Sequence, residues 1–95
     1  DTLDENQILQ SVTQELTQVL KLDRAFVERD DTNFIPAKDS HTTRFACPIF
    51  DDQGIMGKLW LFRSPDQPFE QDEIDFVQQI ADQCAIAIRQ ARLYQ

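Results

Sequence analysis

Few residues in this chain could do chemistry. They are one histidine, His41, and two cysteines, Cys47 and Cys84. A thiol with an imidazole nearby can serve as nucleophile and base. No third orienting group and no oxyanion motif accompanies them, so no catalytic residue is assigned; a thiol-dependent enzyme stands as an alternative. Both cysteines sit in apolar surroundings, where Cys behaves as a small hydrophobe. A metal site needs about three or four ligands, which one His and two distant Cys do not supply. Asp51 and Asp52 imitate an acid–base pair, yet they stand in a turn, where Asp is common for conformational reasons. The only glycines are Gly54 and Gly57, so no phosphate-cradling loop exists.

A binding site is the other chemical option. Trp60 and Phe62 alternate with Leu59 and Leu61, so both faces of that strand are apolar and it should be central and covered on each side. One face would meet the helices. The other would meet either a filled core or a small pocket covered by the 30–43 loop, with Phe45, Cys47, Trp60 and Phe62 as its candidate walls.

These residues need elements to hold them. An amphipathic helix is expected over about Asp4–Lys21, with Ile8, Val12, Leu16 and Val19 at helical spacing and Leu9 and Leu20 widening the stripe. Thr2 with Glu5, or Asp4 with Gln7, offers a capping-box start. A short strand follows at Arg24–Glu28. Asp30–Thr43 has no period and reads as a long loop, with an extended piece at Phe34–Ile35. Arg44–Phe50 and Ile55–Phe62 read as a hairpin around Asp51–Gly54, where Gly54 supplies a positive φ. Pro48 belongs at a sheet edge or bulge, and Gly57 marks a bulge or a close approach. A long helix is expected from about Glu70 to Tyr94, with Phe69 and Ile74 as a hydrophobic staple and Glu70 at the cap. The fold class is therefore α+β: a small antiparallel sheet with the first and last helices packed on one face, in one domain spanning 1–95.

Charge removes some partners. Seventeen acids against nine bases give a net charge of −8. Such a surface repels phosphate backbones and anionic lipid, so neither nucleic acid nor membrane insertion is expected. Cysteine usage and the lack of a signal peptide or spanning segment suggest a cytoplasmic setting. A first residue of Asp rather than Met suggests excision from a longer chain.

The last helix changes character midway. Ile74, Val77, Ile80 and Ala81 lie on one side, but Cys84–Ala85–Ile86–Ala87–Ile88 is apolar all round. One side can meet the sheet. The other meets the first helix, a second subunit, or both. A homodimer interface drawn from Leu9, Val12, Leu16, Cys84, Ala87, Ile88 and Ala91 is the expectation.

The order helix, strand, loop, hairpin, long helix then carries a resemblance. Ile8–Leu16 running into Leu20–Arg24, Cys47–Pro–Ile–Phe50 with Gly54–Trp60, and Pro68–Ile74 with Ile80–Ile88 and Ala91–Tyr94 together resemble the GAF family, especially GAF domains of bacterial and cyanobacterial sensor histidine kinases. In typical members the region between first strand and hairpin is longer, so this chain looks shortened there. The resemblance implies a regulatory or sensory domain of a signalling histidine kinase. It implies parallel pairing of terminal helices and a downstream kinase or other output domain. The absence of Gly or Pro at Tyr94–Gln95 fits a helix that runs on. A small-molecule receptor, for a cyclic nucleotide or other ligand, is the alternative. His41 is flanked by Ser40 and Thr42 rather than Cys, so the bilin-attachment motif is missing and no cofactor is expected.

Overall fold

The computed structural model describes residues 5–29 and 43–93, apart from the side chains of Glu5, Arg29 and Arg92. The loop expected before Thr43, its piece at Phe34–Ile35, His41, the caps at Thr2 and Asp4, and Tyr94 lie outside the described residues. The order is α1 (Glu5–Leu20), β1 (Arg24–Arg29), β2 (Thr43–Asp51), β3 (Gly54–Arg63) and α2 (Gln71–Leu93).

Helix α1 buries Leu9, Leu16 and Leu20, with Val12 half-buried beside them. That spacing of three and four residues is the stripe that meets the core. Val19 was expected on it, but it is 56% exposed. The stripe is therefore rotated toward Leu9 and Leu20. The helix ends because Lys21 adopts a left-handed φ of 56°. The Leu22 N–H then donates back to the Thr17 carbonyl at 3.0 Å, which closes the last turn.

Among the described residues the sheet is antiparallel in the order β1–β3–β2, so within it β3 is central and β2, with Pro48, is an edge. The β2–β3 turn forms at Asp51–Gly54 as expected. Asp51 Oδ1 accepts the Gln53 N–H at 2.7 Å, and Gly54 has φ 124°. That φ favours a residue without Cβ. The pairing changes register between Ile49↔Gly57 and Phe50↔Ile55, which leaves Met56 as an extra residue on β3. This is a β-bulge beside Gly57. It turns Met56 toward the core, against which Met56 packs.

Both helices lie on one face of the sheet, as expected. Helix α1 lies over β1 and α2 lies over β2, so β3 runs beneath the seam between them. The core joins Leu9, Leu16 and Leu20 to Cys47, Ile49, Leu59 and Leu61 of the sheet. Val77, Ala81, Cys84, Ala85 and Ile88 of α2 complete it. Among the described residues no helix is long and apolar enough to cross a membrane.

Candidate functional site

Residues directly opposite in a sheet share a face. Phe45 pairs with Leu61, and Cys47 with Leu59, so these four point toward the helices. Phe26 and Ala46 pair with Trp60, and Arg24 and Arg44 with Phe62, so these point the other way. The expected pocket of Phe45, Cys47, Trp60 and Phe62 is thus not one site. The bulge is the reason. An unshifted hairpin from the Asp51–Gly54 turn would set Phe45 opposite Trp60. The extra residue moves every pairing beyond it by one, and a shift of one exchanges faces.

The face away from the helices is built around three rings. Phe26 and Phe62 stack at 5.8 Å between centroids, and Trp60 and Phe62 at 6.4 Å. The Arg24 guanidinium stands 4.7 Å from the Phe26 centroid and 5.8 Å from that of Phe62, within cation–π range. The Trp60 indole N–H donates to Glu28 Oε1 at 3.1 Å. Trp60 and Phe62 are only 7% and 8% exposed, and Glu28 is buried with them, although both helices lie on the opposite face. A buried carboxylate and a buried indole N–H each need a partner, and here each provides the other's. Sequence reading finds Trp60 and Phe62 but misses Arg24, Phe26 and Glu28. Their alternation along β1, in step with β3, is the available signal.

The two cysteines lie on the helix side. Cys47 donates its S–H to Gln78 Oε1 at 3.3 Å. Burial pushes both thiols up to about 11, with Asp82 adding to the effect at Cys47 and Cys47 adding to it at Cys84. Little thiolate exists at neutral pH under those conditions. Of the two turn acids, Asp51 caps its own turn, while exposed Asp52 sits 3.6 Å from Arg89.

Leu9, Leu16, Cys84 and Ile88, expected at a dimer interface, are buried within this chain's own core. The two helices and the sheet already satisfy them, so they do not form an open face. Val12, Ala87 and Ala91 are half-buried. The apolar residues left exposed on α2 are Ile86 at 55% and Leu93 at 74%.

The start of α2 holds a polar cluster that sequence reading does not identify. Arg63, at the end of β3, forms a fork with Glu73 at 2.6 and 2.9 Å. It also donates to the carbonyls of Leu20 at 3.1 Å, Gln67 at 2.7 Å and Pro68 at 2.8 Å. All five guanidinium N–H groups are thereby used. Its Cζ lies 4.2 Å from the Phe69 centroid. Glu73 Oε1 also accepts the Glu70 N–H at 3.0 Å, half of a capping box, with Glu70 at the cap as expected.

Comparison with solved structures finds this fold elsewhere. The chain is similar to a GAF domain/HD domain protein from Geobacter sulfurreducens, at TM-score 0.78 and 13% identity, covering 100% of this chain and 99% of that one. It is similar as well to GAF3 of Slr1393 from Synechocystis, in its photoproduct state, at TM-score 0.73 and 16% identity, covering 96% and 97% of the two chains. No curated protein matches. The GAF domain family matches residues 30–88, which include β2, β3 and most of α2. With fold and sequence pattern in agreement, the chain belongs to the GAF domain family.

Proposed function

We propose that this GAF domain is a non-catalytic regulatory module that pairs with a second copy along the outer face of α2. The supporting observation is the exposure of Ile86 and Leu93, seven residues apart on one helical face. They continue a stripe of exposed Gln79, Gln83 and Gln90 whose steps alternate between four and three residues. That alternation is the spacing of a coiled-coil seam. Signalling would change how the paired α2 helices pack. The resemblance to sensor histidine kinases suggests a cytoplasmic kinase as the output.

The size of the stripe sets the strength. Full burial of one such side chain is worth roughly 1.5–3 kcal/mol, while association costs about 4–15 kcal/mol. Four such side chains per pair therefore give weak pairing, with a Kd no tighter than about 1 µM. Sedimentation across a concentration series should show reversible dimers. Ile86→Glu or Leu93→Glu should give monomers with unchanged circular dichroism, because both side chains are already in water. Ile88→Glu should instead lose the fold. A strict monomer at the highest concentration would remove the reading.

The aromatic face supports a second reading, a receptor for a small planar anion. Among the described residues Arg24, Arg44 and Lys58 share that face with one acid, Glu28, in a chain of net charge −8. One solved neighbour is a GAF domain in a photoproduct state. Native mass spectrometry and absorbance of the purified chain test this: a co-purifying mass supports it, and a bare chain of 11.1 kDa counts against it.

A further inference from the structure

Strand β3 lies under the seam between the helices, where apolar side chains such as Leu59 and Leu61 meet them. Apolar contacts are non-directional. At its last residue the strand makes directional contact with both helices at once. Arg63 reaches the final carbonyl of α1 at Leu20, the carboxylate of Glu73 in the first turn of α2, and the connector carbonyls of Gln67 and Pro68. The preceding residue, Phe62, belongs to the aromatic face on the other side of the sheet. Two successive residues thus carry the aromatic stack and the helix joint.

We propose that Arg63 is a coupling residue that makes the end of β3, the last turn of α1 and the first turns of α2 one mechanical unit. A displacement of the aromatic face is then delivered to the facing ends of both helices. The rigid fork suits arginine: its donors leave in fixed, divergent directions and can hold several acceptors in one plane. Lysine offers donors from a single nitrogen and cannot reproduce the set. This coupling does not depend on dimerisation, since every partner lies in the same chain.

Native-state hydrogen exchange on the full chain, at a concentration low enough to keep it monomeric, tests the idea. In the native sequence, amides near residues 17–20, 59–62 and 74–77 should open with one common free energy. In Arg63→Lys, the two helix segments should lose protection by roughly tenfold more than 59–62. Glu73→Gln, which retains shape and most hydrogen bonding, should loosen 74–77 while leaving 17–20 joined to β3. That second variant decides the matter should Arg63→Lys not fold. If the three segments fall together by one factor, or none changes, Arg63 only adds stability and the coupling is overturned. Loss of dimers in a separate sedimentation run would leave this result untouched.

Discussion

Glu73 is the titratable side of the Arg63 joint, and its chemistry makes the joint measurable. The hydrogen bond from Arg63, followed by that from the Glu70 N–H, pushes the Glu73 carboxyl down from 4.5 to about 2. A depressed carboxylate adds stability that is complete above its unfolded value and lost as pH falls through its folded one. The window is thus from about pH 5 to pH 2. The melting temperature of the native chain should fall across that window more steeply than that of Glu73→Gln, which has no proton to gain. Parallel curves for the two proteins would mean that the pair contributes nothing to acid sensitivity. Removal of Arg63 is the harsher change: a half-buried carboxylate loses its partner, which typically costs about 3–5 kcal/mol for a buried pair and less where solvent reaches it. No local sequence pattern marks Arg63. Its acceptors are a helix-end carbonyl far upstream, two carbonyls of the following connector and a glutamate in the first turn of the next helix, and a strand-end arginine alone reads as a solvated charge.

At the scale of elements, the boundaries are written locally and the packing is not. Alternation marks the three strands, the Asp51–Gly54 turn marks their hairpin, and Gly57 marks a bulge position. The consequence of the bulge is out of reach, because only the pairing shows that Met56 is the extra residue and that Phe45 and Trp60 part to opposite faces. The end of α1 shows the same limit. Lys21 reads as a favourable charge at the helix terminus, but it occupies the left-handed closing position. That conformation costs a residue with a Cβ about 1–2 kcal/mol. Glycine would avoid that cost while adding about 0.4–1 kcal/mol of unfolded-chain entropy. Lys21→Gly should therefore stabilise the domain by roughly 0.5–1 kcal/mol and raise its melting temperature by roughly 2–8 °C. Lys21→Ala should give no such rise. An unchanged or lower melting temperature for the glycine variant would show that the Lys21 side chain contributes something its backbone angle does not reveal.

At the scale of the whole molecule, charge decides how two copies can meet. Each chain carries −8, and the exposed Asp72 and Asp75 concentrate part of it in the first turns of α2. Two unit charges about 10 Å apart in water interact by about 0.4 kcal/mol, and 0.1 M salt screens beyond about the same distance. Parallel pairing brings the acidic turns of the two copies side by side. Antiparallel pairing about Ile86 separates those turns and sets Asp82 near Arg89 of the other copy. Both arrangements bring two chains of −8 together, so screening relieves repulsion in each, and it does so more steeply for the parallel pair. For the parallel pair that the proposed signalling along α2 calls for, raising salt from about 0.02 to 0.3 M should tighten association several-fold, since repulsion is screened while the Ile86–Leu93 stripe is unaffected. Sedimentation equilibrium at the two salt concentrations reads that steepness directly. Association that tightens little or not at all with salt would assign the antiparallel pair, in which the two α2 helices point in opposite directions and cannot pass a change to outputs lying side by side.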